Sequence, residues 1–182
     1  MAVRPAQEAV AKERLPNWMR KLIFVGIYLL SINGFSQTSI KEVLNKFNDH
    51  SVPYIYVNEL TKVTTQPIVL DTREKAEYEV SHLDKAIYVG FNDFEISKTA
   101  SLPSDKDTMI VVYCSIGVRS EIIGKQLIAE GYTSVYNLYG GIFEWTNKGE
   151  KVYSSQEQPT SKVHVNSKQW GAYLLKGTQV YE

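Results

Sequence analysis

Met109-Ile110-Val111-Val112-Tyr113-Cys114-Ser115-Ile116-Gly117-Val118-Arg119-Ser120 is the stretch that decides the fold. Its first five residues form a continuous apolar run, the pattern of a strand buried on both faces of a parallel sheet. Cys114 follows at the carboxyl end of that strand. Beyond a short loop, Ile122, Ile123, Gln126, Leu127 and Ala129 read as an amphipathic helix that stops at Gly131. Strand, loop and helix in this order form the unit from which α/β sheets are built. In such sheets ligands gather beyond the carboxyl ends of the strands, where Cys114 lies.

The same alternation continues on both sides. Upstream, Pro67 precedes Ile68-Val69-Leu70, a short strand that ends at Asp71. Lys75 to Val80 suits a short helix, and Ala86 to Val89 another strand. Earlier still, Ser39-Ile40-Lys41-Glu42 is a capping box, and Ile40, Val43, Leu44 and Phe47 give one apolar helical face. Tyr54-Ile55-Tyr56-Val57 is a β-rich run, followed by Asn58 as the expected cap of a helix from Glu59 to Val63. Downstream, Ser134 to Leu138 reads as a strand, and Gly140-Gly141 turns into a helix around Phe143 to Asn147. Strands and helices joined by short connections predict an α/β domain with a central, largely parallel sheet flanked by helices. The Ser-, Gln-, Thr- and Pro-containing segment Ser154 to Lys162 reads as a linker. His164 to Glu182 reads as a tail whose Trp170, Tyr173, Leu174 and Leu175 dock on the domain as a helix.

Composition narrows the function classes. The chain has 182 residues, 43% apolar and 22% charged, which suits a folded core. Its formal net charge is zero, so nothing points to nucleic acid as a partner. With one cysteine, no disulfide can form within the chain, and a zinc site built from several thiolates is excluded. His50, His82 and His164 lie far apart without ligand-type spacing, so neither a metal nor another cofactor is expected.

The N-terminal segment reads as an address. Arg20 and Lys21 precede the apolar run Leu22 to Ile32, and Gly34 and Ser36 supply small residues before a cleavage point. This is the architecture of a secretory signal over residues 19–36. Its apolar run is short for the roughly 30 Å of a bilayer core, which makes a retained N-terminal membrane anchor the secondary reading. Residues 1–18 are read as an upstream extension preceding a start at Met19. Export to the periplasm or secretion is therefore expected, with no stable membrane insertion after cleavage. Residues 1–36 hold five basic and two acidic side chains, leaving 15 basic and 18 acidic residues from Gln37 onward, a mildly acidic balance. The expected organisation is an N-terminal part of the domain or a lead-in over 37–66, the main domain over 67–153, and the linker and docking tail over 154–182.

The loop after the central strand carries the chemistry. Chain reversal there turns successive backbone N–H groups toward Cys114, and the following helix directs its positive end to the same place. Gly117 permits the tight path, and Arg119 adds a cation. Such a nest favours the thiolate, lowering a cysteine pKa from about 8.5 toward the roughly 3.5–7.5 range of reactive cysteines. The thiolate is a nucleophile. It can take sulfur from a donor as Cys–S–S⁻, with Ser115, Ile116, Gly117, Val118, Arg119 and Ser120 forming the anion-binding loop.

Three motifs in order resemble the single-domain rhodanese type. They are Val69-Leu70-Asp71-Thr72-Arg73, the loop from Cys114 to Ser120, and Gly140-Gly141-Ile142-Phe143-Glu144-Trp145. The resemblance implies a three-layer rhodanese-like fold and a persulfide on Cys114. It implies a small sulfur donor (thiosulfate or a persulfide) and a thiol, cyanide or protein as acceptor. It makes Asp71 and Arg73 supports of the active loop, and Trp145 a core residue. His82 matches the family's Gly-His-x-x-Gly-Ala segment, but Ser81 and Lys85 stand where it has glycines. Related folds bind phosphate or arsenate with five residues between Cys and Arg. The four here, Ser115 to Val118, enclose a smaller anion and favour sulfur. A phosphatase or arsenate reductase is thus the weaker expectation, and a non-catalytic binding module of the same fold is the alternative from another class.

Overall fold

A computed structural model describes residues 39–99 and 102–181; the signal-like segment and the residues before it lie outside the described residues. Five strands form one parallel sheet: β1 (Tyr54–Ile55), β2 (Ile68–Asp71), β3 (Ile87–Tyr88), β4 (Ile110–Tyr113) and β5 (Val135–Leu138), in the order β1-β5-β4-β2-β3. The apolar run read from sequence is the central strand β4, and all four of its residues are buried. Its side chains alternate between two cores. Val111 and Tyr113 face one, with Leu138, Ile142, Phe143 and Val163; Ile110 and Val112 face the other, with Leu70, Ile123, Leu127 and Val135. The period of two along an extended chain delivers one set to each face, which is why the run shows no polar alternation.

The helices are α1 (Ile40–Phe47), α2 (Val57–Leu60), α3 (Lys75–Val80), α4 (Val118–Ala129), α5 (Gly141–Asn147) and α6 (Lys168–Gly171). The helix α1 begins with the expected capping box: Glu42 N–H donates to Ser39 Oγ (3.2 Å), and Ser39 N–H donates to Glu42 Oε2 (2.7 Å). Two helical readings are corrected. The first strand stops at Ile55, and Val57 already lies in α2, whose cap is Tyr56 rather than Asn58. There Glu59 accepts from the Tyr56 amide, closing the turn two residues earlier than a side-chain cap at Asn58 would. In α4 the buried stripe is Ser120, Ile123, Gly124 and Leu127, whereas Ile122, Gln126 and Ala129 face outward. Gly124 sets this rotation, because a Cβ there would lie 2.9 Å from Val52. The helix can approach the sheet at that position only with no side chain.

The C-terminal segment is also corrected. The presumed linker folds: β6 (Val152–Tyr153) and β7 (Pro159–Thr160) form a hairpin, and β6 reaches back to His82 through paired N–H···O bonds of 2.8 Å. The tail is β8 (Lys162–His164), the four-residue α6, and β9 (Thr178–Val180), with β8 and β9 parallel. It docks through Val163, Val165 and Leu174, which are buried in the first core, while Leu175 is exposed. Trp170 of α6 and Tyr173 pack against the same core as expected, but the helix is one short turn and backbone pairing of β8 with β9 holds the rest. Residues 39–66 contribute β1 and part of the core, and Thr38–Glu182 forms one compact unit. No helix among the described residues is long and apolar enough to cross a membrane.

Candidate active site around Cys114

Cys114 sits one residue past β4, and the loop from it to Gly117 turns directly into α4. Gly117 is the N-cap with φ of 110°, a left-handed conformation that glycine adopts without a Cβ clash. That conformation aims its N–H at the cysteine, and the Gly117 amide donates to Cys114 Sγ at 3.1 Å. Its carbonyl faces the opposite way and accepts from Asn48 Nδ2 (2.9 Å) and Asn137 Nδ2 (2.8 Å). Two buried side-chain amides thus fix the Gly117 carbonyl, and with it the local backbone conformation, next to the N–H that faces sulfur. The backbone amide of Ser120 also faces the sulfur. The Ser120 hydroxyl has one proton to give, and it lies 2.8 Å from Asn137 Oδ1; the backbone amides are therefore the fixed donors.

The helix α5 fixes the loop from above. Its first amides, Ile142 N–H and Phe143 N–H, donate to the carbonyls of Cys114 (3.0 Å) and Ser115 (3.1 Å). Gly141 permits this approach, since a Cβ there would stand 2.2 Å from the Cys114 carbonyl oxygen. The pair Gly140-Gly141, read from sequence as a turn, is also the seat of the Cys114 loop.

Arg119 lies beside the sulfur, but its charge is shared. Its Nη1 and Nη2 donate to the two oxygens of Glu77 at 2.6 and 2.8 Å, and Nη2 also donates to Ser115 Oγ at 3.0 Å. Burial raises the Glu77 carboxyl; its hydrogen bonds and charge pairing with Arg119, the nearby Arg73 and the Asn166 amide outweigh this and lower it to about 2. For Cys114, burial pushes the thiol up, and the Arg119 charge with the amides of Ser120 and Gly117 more than offsets it, so the net shift is downward.

Asp71 and Arg73 occupy a different layer. Both are fully buried and paired: Arg73 Nη2 donates to Asp71 Oδ2 at 2.6 Å and to the Ser81 carbonyl at 2.6 Å. Tyr113 O–H donates to the same Asp71 oxygen at 2.6 Å and accepts from the Leu83 amide at 3.1 Å. The pair therefore clamps Tyr113, the residue before Cys114, and the turn at 81–83. Its hydrogen bonds go to those groups and not to the loop. The turn itself keeps its shape without the family's glycines: Lys85 takes φ of 55°, and Ser81 is extended at φ of −168°. Trp145 is half-buried against the first core and bonds the Lys151 carbonyl, away from Cys114.

Cys114 and Ser115, with Ile116, Val118 and Arg119, line a cavity of about 320 Å³ whose remaining wall is Phe47, Asn166 and Trp170. Sequence reading identified the loop residues and missed Glu77, Asn166, Phe47 and Trp170. Glu77 is the third residue of α3, where its carboxylate accepts from the Glu74 amide and from Arg119 and Ser115. The other three come from segments remote in the chain, and no local pattern announces them. Among the described residues, no group of three or more His, Cys, Asp or Glu is placed to hold a metal ion.

Comparison with known proteins agrees with this geometry. Residues 55–148 match the family model of the rhodanese-like domain. The tRNA uridine(34) hydroxylase of Hamiltonella defensa subsp. Acyrthosiphon pisum (strain 5AT) is 31% identical over 107 residues, covering 56% of this chain and 30% of that protein. The crystal structure of thiosulfate sulfurtransferase from Pseudomonas aeruginosa superposes with a TM-score of 0.52 at 25% identity, over 59% of this chain and 21% of that one. The rhodanese-like domain of an Anabaena protein shares the fold, with a TM-score of 0.50 at 22% identity over 56% of this chain and 79% of that one. The chain thus spans under a third of the curated relative it matches. Phe47, Asn166 and Trp170 lie outside the residues matched by the family model.

Proposed function

The chain belongs to the rhodanese-like domain family, and from that premise we propose that it is a sulfurtransferase carrying sulfane sulfur on Cys114. The observation that supports this most directly is the Gly117 N–H held 3.1 Å from Cys114 Sγ at the foot of an open cavity. In the first half-reaction, the Cys114 thiolate attacks the outer sulfur of a donor such as thiosulfate. A new S–S bond forms, the donor's S–S bond breaks, and its electron pair leaves with sulfite. The charge now rests on the terminal sulfur of Cys–S–S⁻, where loop amides and the Arg119 guanidinium stabilise it. In the second, cyanide, a thiol or a protein nucleophile attacks that terminal sulfur and Cys114 leaves as thiolate.

The competing chemistries are less well supported. A phosphatase uses an acid to protonate its leaving group. Glu77 is the carboxylate bonded to this loop, and Arg119 holds it ionised down to about pH 2. Hydroxylation of a tRNA uridine is the activity in the name of relatives far longer than the matched segment. The mildly acidic balance after residue 36 supplies no basic footprint for tRNA. The signal-like segment at 19–36 leads us to place the protein outside the cytoplasm; N-terminal sequencing of the natural protein, expected to begin at Gln37, tests this.

Intact-protein mass after incubation with thiosulfate tests the sulfurtransferase reading. A gain of one sulfur that disappears with cyanide and is absent in Cys114→Ser is expected. No adduct from thiosulfate or from an organic persulfide would leave a binding module.

A further inference from the structure

The cavity above Cys114 has an unusual balance of charge and apolar surface. Its one ionised side chain other than the cysteine is Arg119, and both guanidinium nitrogens that bond Glu77 do so at 2.8 Å or less. Asn166 Nδ2 donates to the same Glu77 at 3.0 Å, so the tail helps hold the carboxylate in place. The neighbouring Arg73 is likewise neutralised by Asp71. Side-chain charges around the loop therefore cancel, and the ionised cysteine leaves the site net negative. A small dianion entering it meets repulsion, and the cation that lines the cavity among the described residues, Arg119, is already paired with Glu77.

The walls present a different kind of surface. Phe47, at the end of α1, is 58% exposed although it belongs to the apolar face of that helix. Trp170, from α6, stands on the same cavity, and Ile116 and Val118 add further apolar lining. Lys46 lies 5.4 Å from the centre of the Phe47 ring but does not line the cavity. At about 320 Å³ the space lies at the small end of the roughly 300–1,000 Å³ typical of sites for organic ligands.

We propose that this cavity selects a sulfur donor with an aromatic or other apolar carrier group, with Phe47 and Trp170 as the residues that determine this specificity. The inference rests on the sulfurtransferase reading and names its substrate class. The carrier lies between the two rings, and its terminal sulfur reaches Cys114. For an aryl thiosulfonate, the Cys114 thiolate bonds to the terminal sulfur, the bond between that sulfur and the sulfonyl sulfur breaks, and the electron pair departs with the aryl sulfinate. Charge is conserved at two negatives on each side, one fewer than for thiosulfate, and so the approach is less opposed.

The test compares kcat/KM for thiosulfate, methanethiosulfonate and benzenethiosulfonate, with cyanide as acceptor and the uncatalysed rates subtracted. The last two donors share the reacting group and differ in the carrier. Benzenethiosulfonate is expected to exceed methanethiosulfonate by about tenfold, with thiosulfate poorest. Phe47→Ala, at an exposed position, and Trp170→Leu, checked for folding by circular dichroism, are expected to bring the aryl-to-methyl ratio toward one. Equal use of the two thiosulfonates by the native protein, or a ratio unmoved in both folded variants, would overturn the proposal. Intact mass separates the two levels: a sulfur adduct on Cys114 from thiosulfate as efficient as from the aryl donor defeats the specificity alone. No adduct from any of the three donors defeats the sulfurtransferase reading and the specificity with it.

Discussion

Glu77 and Arg119 form a two-pronged ion pair, at 2.6 and 2.8 Å, that joins helix α3 to the start of α4, beside Cys114, across forty-two positions of sequence. The Glu77 side chain is almost completely buried, while the Arg119 side chain, which lines the cavity, keeps 24% of its surface exposed. This pair fixes the cation beside Cys114 and limits how much of its charge a substrate can use.

The pair makes stability depend on acid. The Glu77 carboxyl is lowered from 4.5 to about 2 in the folded protein, so the unfolded chain takes up its proton more readily. Its contribution is present above about pH 4.5 and is lost as pH falls from there toward 2, to a total of about 3 kcal/mol. Urea unfolding of the native protein is expected to weaken steeply through this window. Glu77→Gln should be less stable at neutral pH by about 2–3 kcal/mol and flatter below pH 4.5. Parallel pH profiles for the two proteins would rule out this role for Glu77.

The same geometry sets the reactivity of Cys114. Its thiol is lowered despite burial, with Arg119 the largest of the opposing causes. Iodoacetamide alkylation followed against pH is therefore expected to show an inflection below the ordinary thiol value of about 8.5. Arg119→Met removes the cation and should move that inflection upward, whereas Arg119→Lys should move it less. An unchanged inflection in Arg119→Met would assign the lowering to the backbone amides alone.

Gly141 is expected to tolerate no side chain. An added Cβ meets the Cys114 carbonyl at 2.2 Å, and φ is already 53°. Gly131 offers the control, since its φ is 95° but nothing lies within 4 Å of the added atom. Gly131→Ala should lower unfolding stability by about 1–2 kcal/mol from backbone strain alone. Gly141→Ala should exceed that by about 1–3 kcal/mol and slow sulfur loading of Cys114. Equal denaturation midpoints for the two variants would contradict the packing account.

Lys85 holds a left-handed conformation, φ of 55°, with a side chain that disfavours it. Lys85→Gly is expected to raise stability by about 0.5–1 kcal/mol, the relief of strain exceeding the added freedom of the unfolded chain. A lower melting temperature for Lys85→Gly would show that the Lys85 side chain contributes more than its backbone costs.

Much of this was legible locally. The alternation of β2, α3, β4, α4 and β5 follows from apolar periodicity and turn residues, each of which acts within a few positions. The loop chemistry was legible for the same reason: Cys114, Gly117 and Arg119 lie within six consecutive positions, and the helix start is encoded beside them. Two kinds of error arose where local signals were ambiguous. A polar stretch at 154–162 looked like a linker because pairing between β6 and β7 depends on backbone groups that composition does not reveal. Ile122 looked buried because apolar character alone does not give the rotation of α4, which Gly124 sets by close approach to Val52.

The sequence by itself determined the α/β order, the central buried strand and the cysteine on its carboxyl end, because strand period, helix period and turn chemistry are short-range properties. Tertiary structure alone decided that Asp71 and Arg73 form a buried clamp on Tyr113 and that Glu77 takes much of the Arg119 charge. It alone brought Phe47 and Trp170 from opposite ends of the described chain to one cavity. Those relationships join residues tens of positions apart, and they exist only once the sheet order and the two cores bring the segments together. Burial then changes their physics: a charge pair that would be weak in water becomes strong where solvent cannot screen it.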